Sequence, residues 1–398
     1  MCPTSCPVVR LKPKVDPRPL RHGFPWVYAD QLVADRRTRA IEPGAIGWLE
    51  DGDRQRLGVV AVNPGSKIMA RQLGAAEPGD IGRDWFAARL RAALSLRETL
   101  HDAPFYRLIH AEADGLPGVV VDRFGDAAVI QPNAAWADAR FDDIVAALIA
   151  VTGVSTVIKN ASGRARGLEG LDSNSAVVAG QVAGPLAVPM NGATYLADLT
   201  AGQKTGLFFD QRRNHAFAAG LSRGGNMLDV FSHVGGFALA ALAGGATSAL
   251  AVDASGPALE LAKGGAALSG LADRFETRKG DAFDVMAALQ ADRRQFRAVV
   301  CDPPAFAPAR AALEAGLRAY ERVARLAAPL VEHGGFLTLC SCSHAAELGK
   351  FRAACTRGIG RAGRDAVLLR TGFAGPDHPQ HPQLAESAYL KVLTFRVT

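Results

Sequence analysis

Residues 226–237, NMLDVFSHVGGF, followed by AVDAS at 251–255, constrain the fold more than any other part of this chain. Met227, Leu228, Val230 and Phe231 read as a buried strand. Gly235 and Gly236 give a turn with no side chain between backbone and ligand. Residues 237–242 (FALAAL) read as a short apolar helix, and 249–252 as the next strand. Asp253 then stands at that strand's carboxyl edge, about 20 residues past the glycines, where an acid accepts hydrogen bonds from a ribose diol. The layout is that of a doubly wound α/β nucleotide site.

A glycine pair alone is a weak signal, because glycine turns follow many strands. A dinucleotide site wants Gly-x-Gly-x-x-Gly to cradle a pyrophosphate. The turn here, Ser232-His233-Val234-Gly235-Gly236, lacks that spacing. S-adenosylmethionine carries no phosphate and needs only close backbone approach and carboxylates. CDPPAF at 301–306 and CSCSH at 340–344 favour that cofactor.

The chain has 398 residues, 48% hydrophobic, enough for two or three domains with cores of their own. No run of 18 apolar residues exists, so no membrane span is expected. The N-terminus is polar and proline-rich without an apolar signal core, so a soluble cytoplasmic protein is expected. Six cysteines gather towards the two ends with no paired zinc spacing, which fits reduced thiols and no metal. A net charge of +6 suits a polyanionic partner, although an arginine-rich and alanine-rich composition can produce it without one.

Turn signals divide the chain into three. Residues 1–75 read as short strands punctuated by Pro and Gly, residues 76–185 as an α+β unit, and residues 186–398 as alternating strands and helices of a parallel sheet. In the last segment, strands are expected near 227–231, 249–252, 275–279, 297–301, 335–342 and 389–397, with a long helix over 310–330. Asp229, Asp253, Asp281 and Asp302 then fall at or near strand carboxyl ends, where such sheets collect their ligands.

These residues resemble the bacterial large-subunit ribosomal RNA cytosine-C5 methyltransferases. The resemblance runs over nearly the whole chain: HGFPWVYADQ (22–31), AEADGLPGVVVDRFGD (111–126), GQKTGLFFDQRRNH (202–215), LDVFSHVGGF (228–237), VDAS (252–255), GDAF (280–283), DPPAF (302–306), SCSH (341–344) and HPQHPQLAESAYLKVLTFRV (378–397). It implies an N-terminal RNA-binding PUA domain, a β-barrel, then a middle α+β domain and a class I, Rossmann-like methyltransferase domain. It also implies ribosomal RNA as partner and S-adenosylmethionine as cofactor. Oligomeric state is not legible, and a homodimer stays open. Relatives tend to carry asparagines where this chain has Gly265, Ser269 and Ala324.

Cytosine C5 is a weak nucleophile, and a thiolate adding to C6 makes it enamine-like. The resemblance assigns that role to Cys342. Cys340, two residues earlier, would face the same side of an extended strand. Cys340, Cys342 and His344 as metal ligands lack a visible fourth partner, and Cys301 and Cys355 read as plain buried cysteines. Asp302 would hydrogen-bond the cytosine near N3 or N4, with Pro303 stiffening the clamp and Phe306 either stacking the base or packing in the core. For the cofactor, Asp253 would bind the ribose, Asp281 and Ala282 the adenine edge, and Lys204, Asp210 and Arg212 the methionine end. Asp229, Phe231, Ser232, Gly235, Ala254 and Asp302 would complete that pocket. Two other functions compete: an RNA methyltransferase attacking a base nitrogen, which needs no cysteine, and a non-catalytic RNA-binding relative.

Overall fold

In the computed structural model, residues 6–200 and 206–398 are described, and they cluster into two compact units. The first runs to Ala183 and takes in Pro376–Ser387 from near the C-terminus.

Short strands rich in Val, Ile and Leu, broken by Pro and Gly, build this unit's first sheet. It comprises β1 (Val8–Arg10), β2 (Trp26–Tyr28), β3 (Ala45–Glu50), β4 (Arg56–Val62) and β5 (Ile68–Gln72), in the order β1-β3-β4-β5-β2. Its core is small: Val9, Leu11, Val27, Leu32, Leu49, Val60, Val62 and Met69 are all buried. A second sheet, ordered β10-β9-β8-β7-β6, contains β6 (Phe105–His110), β7 (Val119–Phe124), β8 (Ala127–Pro132), β9 (Thr156–Lys159) and β10 (Ala176–Ala179). Helices Arg83–Leu100 and Phe141–Thr152 supply Phe86, Leu90, Ile144 and Leu148 to its core. Arg97, fully buried, forks onto Asp114 at 2.6 and 2.7 Å and donates to the Asp377 carbonyl at 3.0 Å. A buried charge needs this full set of partners, and the contact ties Pro376–Ser387 to the unit.

The second unit consists of Gly184–Asp198, Gly206–Gly375 and Ala388–Thr398. It opens with an antiparallel hairpin, β11 (Leu186–Met190) and β12 (Ala193–Ala197). A seven-stranded sheet follows: β13 (Asn226–Val230), β14 (Ser248–Asp253), β15 (Phe275–Lys279), β16 (Phe296–Cys301), β17 (Val331–Ser341), β18 (Ala366–Gly372) and β19 (Lys391–Val397). The order is β15-β14-β13-β16-β17-β19-β18. The strands β13 to β17 pair in parallel, and β19 inserts antiparallel between β17 and β18. Counted from β13, the order is 3-2-1-4-5-7-6. Its direction reverses between β13 and β16, and at such a switch point a crevice opens beyond the carboxyl ends. Helices cover both faces, so β13 and β16 are buried on both sides and read as near-continuous apolar runs.

Several expected elements have other bounds. The strand expected over 227–231 ends at Val230, and Phe231, half-buried, opens the turn with φ of +64° instead of extending the strand. The long helix over 310–330 is an α-helix only over Leu313–Ala327, with a 3-10 turn at each end. Pro329 explains the C-terminal break, since it lacks the N–H that would continue the ladder. The strand expected at 335–342 starts earlier and ends at Ser341, leaving Cys342 outside it.

Candidate active site

The turn after β13 is held in an uncommon backbone shape. Phe231 and His233 have φ of +64° and +49°, and Gly235 has φ of +78°. A non-glycine residue in that region costs about 1–3 kcal/mol, and such strain is retained mainly at functional turns. Three hydrogen bonds fix it: Ser232 N–H to the Val252 carbonyl (3.0 Å), Gly235 N–H to the Ser232 carbonyl (2.8 Å), and His233 N–H to Asp253 (2.8 Å). Gly236 has a steric reason as well, because a Cβ there would lie 2.8 Å from the His215 ring.

Four acids surround this turn. Asp229 is fully buried in β13; one carboxylate oxygen accepts the Ala238 N–H at 3.0 Å, and the other has no hydrogen-bond partner. Burial, reinforced by the neighbouring charge of Asp302, pushes its pKa up to about 7. Asp253 ends β14, and its two oxygens accept one N–H each, from His233 and Ser255, both at 2.8 Å. Each oxygen keeps a lone pair for a further donor. Asp281 follows β15 and caps the helix Ala282–Ala291, with one oxygen accepting from Phe283 and Asp284. Asp302 follows β16; its backbone N–H bonds the Val230 carbonyl at 3.1 Å, and its carboxylate accepts from Gln211 at 2.9 Å.

Lys204 lies outside the described residues. Asp210 is buried, accepts the Tyr389 hydroxyl at 2.5 Å on one oxygen, and has no partner on the other. Arg212 starts the next helix with its guanidinium 5.4 Å from the Phe209 ring centre. Ser232 is buried with a hydroxyl that has no partner. Phe231 meets Phe283 and Phe306 edge-on, both at 6.4 Å. Ala254 follows directly on Asp253, and Ala282 is buried at its helix start. Gly265 packs against the hairpin, where a Cβ would sit 2.8 Å from the Thr194 carbonyl, and Ser269 hydrogen-bonds that same residue. An asparagine at 265 does not fit this close approach.

The second half of the site is the SCS segment. Ser341 and Ser343 are fully buried. The Ser341 hydroxyl donates to Tyr320 at 2.9 Å, the Tyr320 hydroxyl meets Ser343 at 2.7 Å, and Ala307 N–H donates to Ser343 at 2.9 Å. Cys342, between them, is half-buried. Cys340 is 1% exposed, and burial raises its thiol pKa well above the usual range. Because β17 ends at Ser341, the two cysteines do not share the surroundings that an unbroken strand would give them. Cys301 and Cys355 are buried as well. Pro303 is buried and Pro304 exposed. Phe306 is half-buried, 5.0 Å from Tyr320 in an aromatic cluster, so core packing accounts for its position. Among the described residues no group of three or more His, Cys, Asp or Glu could hold a metal ion, and no helix is long and apolar enough to cross a membrane.

Gln211, Tyr320 and Lys391 were not singled out by sequence reasoning. Only their membership of motifs or apolar runs marks them, and the hydrogen bonds by which they join the site reach residues 21 or more positions away.

The strained glycine turn, the acid closing the second strand and the 3-2-1-4-5-7-6 sheet define an S-adenosylmethionine-dependent methyltransferase. The residues fit that cofactor. Two buried polar atoms without partners, on Asp229 and Ser232, lie in or beside the turn, and Asp253 offers lone pairs for a diol. The group supplies an activated methyl on a sulfonium.

Comparisons with known proteins agree. Residues 155–396 match the family described as S-adenosylmethionine-dependent methyltransferase, and residues 9–74 match a PUA-like domain. Ribosomal RNA large subunit methyltransferase I of Alteromonas mediterranea is 33% identical over 98% of both chains. A ribosomal RNA large subunit methyltransferase of Deinococcus radiodurans is 33% identical over 99% of this chain and 98% of its own. A SAM-dependent methyltransferase from Streptococcus mutans shares the fold at TM-score 0.81 and 19% identity, over 98% of this chain and 99% of that one. A methyltransferase solved in complex with SAH does so at TM-score 0.82 and 20% identity, with the same coverage. The chain belongs to the ribosomal RNA large subunit methyltransferase family.

Proposed function

We propose that this enzyme methylates C5 of a cytosine in large-subunit ribosomal RNA through an adduct between Cys342 and C6 of the base. The observation that carries this reading is the setting of Cys342. It is a half-exposed thiol clamped between two buried serines, in a protein whose cysteines 301, 340 and 355 are buried. Nitrogen methylation needs no such thiol.

In this reading the Cys342 thiolate adds to C6, and the electron pair of the C5–C6 double bond moves to C5. Asp302, oriented by Gln211, hydrogen-bonds the N3/N4 edge and favours that shift. C5 would take the methyl supplied by the bound cofactor, whose sulfonium would be left as a neutral thioether. Its proton leaves, the double bond re-forms, and the thiolate departs from C6.

The names of the relatives and the charge distribution support ribosomal RNA as substrate. Residues 1–74 hold twelve Lys and Arg against seven Asp and Glu, a net +5 out of the chain's +6. A positive PUA-like module is suited to docking a polyanion. The deciding test uses ribosomal RNA carrying 5-fluorocytidine, whose C5 fluorine cannot leave as a proton does. A covalent complex through Cys342, identified by mass spectrometry, is expected, and bisulfite sequencing of ribosomal RNA from a deletion strain should lose one protected cytosine. Full methyl transfer by Cys342→Ala would instead favour attack on a nitrogen.

A further inference from the structure

Lys391 opens β19 directly opposite Ser341, the last residue of β17. Only 5% of it is exposed, yet it carries an ammonium. Its Nζ donates to the Ser343 carbonyl at 2.7 Å, so it reaches the residue immediately after Cys342. Among the described residues no carboxylate lies within ion-pair distance of it. Burying an ammonium without an anion is unfavourable, and an apolar residue would fill the position more cheaply. The acidic group that acts on Lys391 is the thiol of Cys342: burial lowers the lysine pKa, and the thiolate charge raises it again.

We propose that Lys391 is the positioning cation that holds Cys342 as a thiolate. This rests on the adduct reading above and adds to it the source of the nucleophile's activation. The thiol proton passes to solvent, the ammonium keeps its own, and the negative sulfur is left beside a fixed positive charge. The same charge stabilises the thiolate when it leaves C6 at the end of the cycle. The hydrogen bond to Ser343 fixes where the charge sits, and the Tyr320 clamp fixes the loop.

Other titratable groups surround the pair. Tyr320, on the helix Leu313–Ala327, interacts with Cys342, and burial keeps its hydroxyl protonated above the usual tyrosine range. His344 packs on the Tyr389 ring at 5.8 Å. Asp302 and Asp229 act on Cys340, one step inward along β17. Tyr320 and Lys391 both act on Cys342, and of these the ammonium is the positive one.

The experiment is the pH dependence of Cys342 alkylation by iodoacetamide in the intact protein, read peptide by peptide by mass spectrometry. The native midpoint is expected below the ordinary thiol value of about 8.5. K391M should raise it by at least one pH unit, and K391R should recover most of the shift. Cofactor binding by calorimetry checks that each variant is folded. A K391M midpoint equal to wild type overturns the proposal. If K391M does not fold, the wild-type chain decides: a native midpoint no lower than that of the same chain in urea also overturns it. No RNA takes part, so the two readings separate. A low midpoint without a 5-fluorocytidine adduct keeps the Lys391–Cys342 pair and removes the C5 reading, whereas an adduct with an unshifted midpoint removes the pair alone.

Discussion

Replacing Asp229 by asparagine should stabilise the cofactor-free protein at alkaline pH and weaken its hold on S-adenosylmethionine. Asparagine keeps the shape and the oxygen that accepts the Ala238 N–H, and removes only the buried charge. In the unfolded chain Asp229 ionises near its ordinary 3.8, and in the folded protein only near 7. Between those values the unfolded chain has released a proton that the folded chain still holds. Stability from this group is therefore full below pH 4 and is lost as pH rises to 7. The shift spans about 3 pH units at 1.36 kcal/mol each, or about 4 kcal/mol in all. Because part is already lost at pH 5, the advantage of D229N over wild type should grow by about 2–3 kcal/mol between pH 5 and pH 8. Urea unfolding of both proteins without cofactor, followed across that range, measures it. A difference that is flat with pH would refute the reasoning. With Asp229 facing the positive charge of the bound cofactor, as the proposed pocket requires, wild-type binding should release a proton near pH 6 and D229N binding should not. Calorimetry in two buffers of different ionisation enthalpy reads this directly, and equal affinity in the variant would remove Asp229 from the cofactor pocket.

Asp253→Ala should weaken cofactor binding by about 2–3 kcal/mol, the scale of a lost charged hydrogen-bond partner, and calorimetry tests this. Cys342→Ala should abolish methyl transfer with cofactor affinity near wild type, while Cys340→Ala keeps substantial activity because its buried thiol resists ionisation; a filter assay with labelled cofactor separates the two. Reversing the exposed charges Arg36, Arg37 and Arg39 to glutamate should lower ribosomal RNA affinity and flatten its salt dependence, leaving cofactor binding unchanged, as read by titrations at several salt concentrations.

The sequence by itself determined the parallel sheet and its glycine turn. These are local signals. Apolar strands bounded by glycine, and an acid about 20 residues past the turn, need only neighbouring residues to be read. It likewise set Asp229, Asp253 and Asp302 near strand carboxyl ends, since each acid stands in or just after its own apolar run, and Asp281 by the Gly-Asp that closes the short strand before it. Other features depended on pairing between distant segments. The strand β18 escaped the sequence reading because its residues are mostly exposed or half-buried and lack a clean alternation, so only its partner β19 defines it. The return of Pro376–Ser387 to the first unit depends on Arg97, 280 residues from Asp377. The surroundings of Cys342 were equally out of reach. Tyr320 and Lys391 come from another helix and another strand, and β17 ends one residue before the thiol. Periodicity shows which residues are buried. Which strand edge meets which, and hence which charge is buried beside which thiol, is decided only when the sheet closes and every buried donor finds its acceptor.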